Sequence, residues 1–442
     1  MLERIVDVPD KNIRFHILNT EKFKMSRLSL NFIFDADVRM SPTLKLMMAV
    51  IMRGSEKYPE LSDINRRLDE LYGATVTYRA TSVGGKHIFK VSCDMISNKY
   101  RIDGDDTDVL MGVCELILSV LLDPLKDGDG MLSQKYMDNE RKLAIDALKA
   151  KINDQKAYSA EQCRRAMLNG HVSAISVDGN EAILSSLTTA DITESHRYFL
   201  ENSAIECYYV GSDNVSPAVE MIENAFSSVR RAEIGSRVSE EAFLSSRDAE
   251  NELYEEIECV TQGRLNVGCT CGTVMQDEGY HAMSIFNEMF GGSSVSKLFA
   301  NVREKQSLCY YCYSSYNSAN GTVMIGCGIK PQNKDLALEE IRNQLRAMQS
   351  GEFSDDELLT AKRATLSGLR QIYDSPHAVE AFIFRRNLAG VEESPEDCAA
   401  SIESITRDDV IAAANKVKID TVYFLSGKDV DSDGTGEEET NE

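Results

Sequence analysis

The sequence contains little histidine, and the few residues of this type lie far apart. Six histidines occur in 442 residues: His16, His87, His171, His196, His281 and His377. The closest two are 25 positions apart. A helical zinc site of the H-x-x-E-H kind needs two imidazoles on one helix face, roughly three or four residues apart. The chain therefore cannot form such a site alone, and an independent metalloenzyme with other ligands is also disfavoured.

Positive charge is also scarce. The chain has 48 lysines and arginines against 71 aspartates and glutamates, which gives a net charge of −23 and an isoelectric point near 4.8. Nucleic-acid binding needs clustered cations to neutralise phosphates, so we expect no nucleic-acid partner. The acidic surface favours solubility, and the alternative is that it attracts a basic peptide.

Long apolar runs are absent. The stretches Leu46–Met52 and Leu116–Leu122 are among the longest, and a membrane-spanning helix needs about 20 apolar residues. The first residues carry charges throughout and contain no apolar core of a signal peptide. An odd count of 11 cysteines without a secretory signal indicates reduced thiols. We therefore expect a cytoplasmic protein with no membrane partner.

One cysteine motif, Cys309-x-x-Cys312, has the spacing of a redox or zinc pair. No second pair at zinc-ribbon spacing and no neighbouring histidine accompany it. The spacing alone therefore favours two structural thiols.

The order of predicted elements is repeated along the chain. In the first half, the alternating strand Met25–Phe34 precedes an apolar helix that ends near Gly54, and a strand ends near Gly211. In the second half, a strand over 264–271 precedes a helix that ends at Gly291. Gly54 and Gly291 are 237 positions apart, and Gly211 and Gly427 are 216 apart. Such a long period indicates two duplicated domains.

We therefore predict an α+β fold with two homologous α/β-sandwich domains, each a mixed sheet with helices packed on one face, arranged as a half-clamshell. The predicted divisions are a domain over 1–229, a charged linker over 230–252 and a domain over 253–427. Residues 428–442 are acidic and lack apolar anchors. Such a tail buries too little surface to offset the entropy of ordering, so we predict disorder there.

Two motifs carry a family resemblance. The segment 45–59 consists of an apolar helix and then Gly54-Ser55-x-x-Tyr58-Pro59. The segment 291–310 runs from a glycine-rich loop, Gly291-Gly292, through L-F-x-x-x-R-E-K-x-x-L-x-Y. Together they resemble the pitrilysin/insulinase family of zinc peptidases, in its short two-domain form, and the similarity extends over about 25–426.

The resemblance also predicts that the zinc site is lost. Aligned on Gly54-Ser55, Lys45 and Ala49 stand where the family has its two histidine ligands, and Met48 stands where it has the glutamate base. Glu140 matches the first glutamate of a later helix, whereas Ala147 stands at the third ligand position. A methyl, a thioether and an ammonium cannot hold or activate a zinc-bound water. We expect no catalytic residue and no metal ligand on this chain alone.

The second motif implies a retained role. In the family, the arginine and tyrosine at the positions of Arg303 and Tyr310 hold the substrate backbone and donate to the oxyanion. Gly291 and Gly292 stand in the loop of the same substrate-binding region. Simpler interpretations exist for each: Arg303 favours the end of a helix dipole, Tyr310 suits strand packing, and the glycines end a helix.

The function implied is that of a non-catalytic subunit in a heterodimeric zinc metallopeptidase. A same-fold partner would carry the zinc, and this chain would supply Arg303, Tyr310, Gly291 and Gly292 in trans, with half of a chamber for peptide substrates. The alternative is an inactive homologue that acts as a structural or peptide-binding module.

Overall fold

The computed structural model describes residues 3–8, 11–232, 235–238, 241–245, 247, 249–257, 260 and 262–427. The β-strands are β1 (Glu3–Val8), β2 (Ile13–Asn19), β3 (Met25–Asp35), β4 (Thr75–Val83), β5 (Lys86–Ile96), β6 (Ala204–Gly211), β7 (Asn251–Glu256), β8 (Gly263–Thr270), β9 (Cys309–Asn317), β10 (Thr322–Ile329) and β11 (Lys418–Ser426). The predicted disordered tail, 428–442, lies outside the described residues.

The α-helices are α1 (Met40–Ile51), α2 (Leu61–Glu70), α3 (Val109–Leu122), α4 (Gln134–Ala150), α5 (Gln155–Met167), α6 (Glu181–Ser186), α7 (Thr189–Glu201), α8 (Ser216–Ala225), α9 (Tyr280–Asn287), α10 (Lys334–Ser350), α11 (Asp355–Gln371), α12 (Pro376–Ala389), α13 (Pro395–Ser404) and α14 (Arg407–Lys416). π-helical turns occupy Glu288–Gly292 and Phe299–Lys305. Short 3₁₀ helices occupy Asn98–Tyr100, Lys151–Asn153, Val172–Ala174, Pro331–Asn333 and Ile372–Asp374. No helix in the described ranges has the length and apolarity needed to cross a membrane.

The chain forms two compact units, each with segments from both halves of the sequence. Unit 1 comprises Met1–Ala150, Gly170–Glu241 and Leu366–Ala400. Unit 2 comprises Lys151–Asn169, Ala242–Thr365 and Ser401–Glu442. The predicted linker, 230–252, overlaps the first residues of β7. A division at this linker would place α5 in the first domain and α12 in the second. In the structure, α5 belongs to unit 2 and α12 belongs to unit 1.

Five strands of the unit 1 sheet, β2-β6-β3-β5-β4, correspond in order to the five strands of the unit 2 sheet. Among the described residues, six strands in unit 1 follow the order β1-β2-β6-β3-β5-β4, and five in unit 2 follow β7-β11-β8-β10-β9. β2 pairs with β6 in parallel, as β7 does with β11, and all other pairs are antiparallel. The predicted fold class, two mixed-sheet α/β domains, is confirmed.

Successive side chains of β3 point to opposite faces of the unit 1 sheet, and the two faces have different contacts. Leu28, Leu30 and Phe32 join the core cluster beneath α1, α3, α7 and α8. Arg27 and Ser29 point to the opposite face, since successive strand residues alternate. Helix α12 covers part of that face, where it contacts both β3 and β6. Unit 1 thus has the predicted helix layer and, in addition, one helix on the other face.

In unit 2, helix α5 packs on the sheet as α12 does in unit 1, and it contacts β8, β10 and β11. Leu265 and Val267 of β8 are buried on one face. Gly268, the residue after Val267, lies on the opposite face toward α5, where a Cβ atom would contact the Met167 sulfur at 2.8 Å. The Cys163 thiol donates to the backbone oxygen of Asn266 at 3.7 Å. A glycine on the strand therefore permits close approach of this helix.

A buried carboxylate holds α12 against the unit 1 sheet. Glu380 has no exposed surface and contacts Arg27, Lys90 and the Ser29 hydroxyl, which donates at 2.5 Å. Arg27 also forms a two-pronged ion pair with Asp94, at 2.7 and 2.6 Å. Burial alone would raise the pKa of Glu380, but Lys90, Ser29 and Arg27 together lower it. Burial also lowers the pKa of Lys90, against the effect of Glu380. The direct contact favours an ionised carboxylate and a protonated amine at neutral pH.

The first prediction concerns the Glu380→Gln substitution. It removes the ion-pair partner of Lys90 and leaves Arg27 with Asp94 alone, so we expect a loss of about 3 kcal/mol in the free energy of unfolding of unit 1. Chemical denaturation, together with protease cleavage near 376–389, measures the loss. The exposed Glu220→Gln on α8 serves as the matched control and should leave both measurements unchanged. Equal stability of the two variants would contradict an anchoring role.

The same carboxylate makes the stability depend on pH. Its folded pKa lies below the ordinary value of 4.5, so its contribution is complete above that value and declines as the pH falls through the lower folded pKa. We therefore expect the wild type to lose stability below about pH 4.5 more steeply than Glu380→Gln. Denaturation midpoints across this pH range test the difference, and parallel curves would contradict it.

Candidate functional site

The positions that match the zinc ligands of the first motif lie on α1 and α4 of unit 1, which contact each other. α1 begins where the Asp37 carboxylate accepts hydrogen bonds from the N–H groups of Arg39 and Met40, at 2.9 and 2.6 Å. Lys45 is 40% exposed and forms an ion pair with Asp178. A cation therefore occupies the first ligand position, and its charge is already neutralised.

The next two positions carry no metal or acid–base chemistry. Met48 is 1% exposed and belongs to the hydrophobic core. Ala49 lines a cavity of about 370 Å³ together with Arg53 and Tyr78. The wall of this cavity therefore has a methyl group where the family has its second imidazole.

The carboxylate retained on α4 is paired with an arginine. Glu140 is 7% exposed, and its Oε1 lies 2.6 Å from Nε of Arg53 at the end of α1. Burial, followed by the negative charge of Glu140, raises the pKa of the nearby Tyr78 and keeps its phenol neutral. Ala147 offers no donor atom. A guanidinium thus balances the charge that a dication balances in an active site.

These residues do not fit a zinc ion. An ammonium, a thioether and two methyl groups stand at the motif positions, whereas zinc requires imidazole, thiolate or carboxylate donors. Within the described ranges, no group of three candidate ligand side chains involves α1 or α4. Sequence reasoning did not identify Asp178, Arg53 and Tyr78, because their partners are distant in sequence.

In unit 2, the glycine-rich loop forms a π-helical turn, Glu288–Gly292, that packs on β9. Gly291 is buried, and a Cβ atom there would overlap the backbone nitrogen and the side chain of Ser314. The Ser314 hydroxyl donates to Oδ1 of Asn287 at 2.9 Å. Gly291 therefore permits this contact, whereas Gly292 is exposed.

Arg303 lies in the second π-helical turn, Phe299–Lys305, which also contacts β9. Its guanidinium stacks 4.5 Å from the centre of the Phe299 ring and lies 3.5 Å from the carboxylate of Glu304. The side chain is 40% exposed. An exposed ion pair of this kind contributes little to stability, so the guanidinium stays accessible to a ligand.

Tyr310 is the extra residue of a β-bulge. Cys309 pairs with Ile329 and Tyr311 pairs with Gly328, so Tyr310 has no partner on β10. It is 56% exposed. Bulges change the direction of a side chain and are frequent beside active sites. The structure thus brings Arg303, Tyr310 and Gly291 onto adjoining elements of unit 2, and their predicted roles remain predictions.

Comparison with known proteins agrees with this geometry. The family described as "Peptidase M16 inactive domain" matches residues 186–365. A Bacillus subtilis protein, "Probable inactive metalloprotease YmfF", is 30% identical over 412 residues, covering 93% of this chain and 95% of that protein.

Two solved structures share the fold. A conserved protein from Enterococcus faecalis has a TM-score of 0.88 at 23% identity and covers 96% of this chain and 99% of its own. An M16 inactive domain from Pseudomonas fluorescens has a TM-score of 0.77 at 16% identity and covers 97% of this chain and 99% of its own.

The fold and the degenerate ligand positions define the class: a metallopeptidase fold without the zinc ligands of its motif. The chain belongs to the M16 peptidase family, as an inactive homologue. The predicted resemblance to the pitrilysin/insulinase family, in a member that lacks the zinc motif, is confirmed.

The second prediction concerns zinc. Wild-type protein dialysed against zinc and then against buffer should retain no ion at α1 and α4, because these helices offer no ligand set. The triple variant Lys45→His/Ala49→His/Ala147→Glu should retain a stoichiometric ion, since it restores three donors. Elemental analysis of both proteins provides the measurement, with Lys45→His alone as the control. Equal metal content in the triple variant and the wild type would contradict the alignment.

The third prediction concerns Gly291. The Gly291→Ala methyl group would overlap Ser314, so we expect a loss of about 1–3 kcal/mol in the stability of unit 2. Gly368→Ala, in the part of α11 that belongs to unit 1, is the control for the substitution itself, because nothing lies within 4 Å of the added atom. This control should be neutral or stabilising by about 0.5–1 kcal/mol. Thermal and chemical unfolding of both variants compares them, and an unaffected Gly291→Ala protein would argue against the tight contact.

Proposed function

We propose that this chain is the non-catalytic subunit of a heterodimeric zinc metallopeptidase that processes peptides. A same-fold partner with an intact H-x-x-E-H motif would hold the zinc. This chain would contribute Arg303, Tyr310 and the loop at Gly291 and Gly292 in trans, together with half of the chamber. The partner and the peptide substrate are part of the proposal.

The contrast between the two units supports this function. In unit 1, the metal-ligand positions are Lys45, Ala49 and Ala147, and the nearby charges are paired as Lys45–Asp178 and Arg53–Glu140. In unit 2, by contrast, Tyr310 is more than half exposed and Arg303 is 40% exposed. A protein that had lost every role in peptide chemistry would have no need to keep these two side chains accessible in their motif.

The chemistry of these two side chains suits substrate binding and oxyanion stabilisation. The partner's zinc would supply an activated water and polarise the scissile carbonyl. The phenol O–H of Tyr310 can donate a hydrogen bond to an oxygen that gains negative charge, and such preorganised donors act mainly in the transition state. Arg303 carries a permanent cation with several fixed donors, which suits binding of peptide carbonyl groups.

The alternative function is a peptide-binding module without a role in hydrolysis. One observation favours it: unit 1 contains a cavity of about 430 Å³ with both charged and apolar walls. Arg14, Arg386 and Glu393 supply the charges, and Leu18 and Phe382 supply apolar surface. Cavities of this size with a few polar groups are typical of ligand sites.

The fourth prediction tests the role in trans. This chain is co-purified with a same-fold H-x-x-E-H protein from its own organism, and turnover of a quenched fluorescent peptide is measured. Tyr310→Phe should lower the kcat of the complex by about 10²-fold, as loss of one oxyanion donor does. Arg303→Ala should lower kcat/KM, because substrate contacts are lost. Exposed residues of the same types in unit 1 provide the controls, Tyr100→Phe and Arg66→Ala.

Three outcomes would contradict the proposal. Activity of the isolated chain with its own zinc would show that no partner is needed. Unchanged turnover of the complex in both variants would remove the role of Arg303 and Tyr310. Failure of the two chains to co-purify, with peptide binding by this chain alone, would favour the binding module.

A further inference from the structure

Three thiols meet on one face of the unit 2 sheet because of the bulge at Tyr310. Cys312 lies directly opposite Cys327 in the β9–β10 register, and Cys309 lies opposite Ile329. Cys327 and Ile329 are two residues apart on β10 and so point to the same face. Cys309 and Cys312 would point to opposite faces of a regular strand. The extra residue Tyr310 brings both to the face of Cys327.

Cys312 and Cys327 are in direct contact, with their Sγ atoms 2.6 Å apart. Residues directly opposite on antiparallel strands have Cα atoms about 4.5–5.5 Å apart. This separation lies within the range of about 4.4–6.8 Å that a disulfide bridges. A bond between these two sulfurs therefore requires no change in strand pairing.

The three thiols differ in ionisation and access. Hydrogen bonds from the Cys312 and Cys327 thiols, together with the Arg303 charge, lower the pKa of Cys309 against the effect of burial. Burial raises the pKa values of Cys312 and Cys327. Cys309 is the most exposed of the three at 9%, against 4% and 1% for the other two. It also lies on β9, which is an edge strand of its sheet. We therefore expect Cys309 to be a thiolate that accepts hydrogen bonds from the thiols of Cys312 and Cys327.

We propose that Cys309, Cys312 and Cys327 form an oxidation site for hydroperoxides, in which Cys309 reacts first and a reversible disulfide between Cys312 and Cys327 is the product. The motif Cys309-x-x-Cys312, which by spacing alone favoured structural thiols, thus gains a third member through the fold. The site does not depend on a partner subunit or on the proposed peptidase role.

The chemistry balances in three steps. The Cys309 thiolate attacks the peroxide, so that an S–O bond forms, the O–O bond breaks and an alkoxide or hydroxide leaves. The Cys312 sulfur then attacks the sulfenic acid, so that an S–S bond forms and the hydroxyl leaves with the Cys312 proton as water. Finally, Cys327 displaces Cys309 from Cys312 by thiol–disulfide exchange. The Cys327 proton neutralises the first leaving group, and the Cys309 thiolate is restored.

The test uses the full-length protein, purified under reducing conditions and then treated with hydrogen peroxide. Remaining thiols are alkylated, and peptide mass spectrometry assigns the cross-link. We expect a Cys312–Cys327 disulfide that a dithiol reductant reverses. In Cys309→Ser the same cross-link should form about tenfold more slowly or worse, because the reactive thiolate is absent. Cys398→Ser is the control: burial raises the pKa of Cys398 to about 11, and this variant should react as the wild type does.

If a substitution prevents folding, mass spectrometry of the oxidised wild-type protein still tests whether the Cys312–Cys327 disulfide forms. A reversible Cys312–Cys327 cross-link supports the site. Irreversible oxidation of Cys309 without a cross-link, or full retention of the three thiols in excess peroxide, overturns it. Equal rates of cross-linking in Cys309→Ser and the wild type overturn the assignment of Cys309 as the first thiol to react.

Discussion

The position of α12 in unit 1 depends on one buried carboxylate. Glu380 is enclosed between this helix and the sheet, where it contacts Arg27 and Lys90. A charge without exposed surface is tolerated only when opposite charges and hydrogen bonds compensate for the loss of water. Further along the helix, Asn387 donates to Nδ1 of His16 and to the Tyr208 hydroxyl, both at 3.1 Å. These contacts fix the rotation and register of α12. They also make residues from the second half of the sequence part of the first unit.

Two ion pairs lie at the degenerate metal site. In an active family member, a dication compensates for the negative charge of the ligands and fixes the helices that carry them. Here Arg53 compensates for Glu140, and Asp178 compensates for Lys45. The apolar face of α1, which includes Met48, completes the core on its inner side. Side chains of the chain itself therefore make the contact between α1 and α4.

Irregular backbone is concentrated in unit 2 around β9. Two π-helical turns and a β-bulge lie within 288–310, and such departures from regular geometry are frequent at functional sites. Gly291 removes the Cβ atom that would collide with Ser314, and the bulge exposes Tyr310 while it directs Cys309 inward. The same irregularity thus serves both the proposed substrate contact and the thiol cluster.

The sequence alone determined which chemistry is absent, because the atoms of a side chain do not depend on the fold: Lys45, Met48 and Ala49 cannot hold zinc in any conformation. It also predicted the strands that correspond to β3, β6 and β8 and the helix that corresponds to α1, since periodicity and capping are local properties. Thr188 and Asp191 form a capping box at α7, as Thr406 and Asp409 do at α14, and this signal lies within four residues of sequence. Only the tertiary structure decided that α5 and α12 join the unit formed mainly by the other half, and that Cys327 completes the cysteine motif. Two adjacent tyrosines give no sign of which is the bulge, and a buried ion pair is set by residues hundreds of positions apart. Such contacts depend on long-range packing, which no local pattern records.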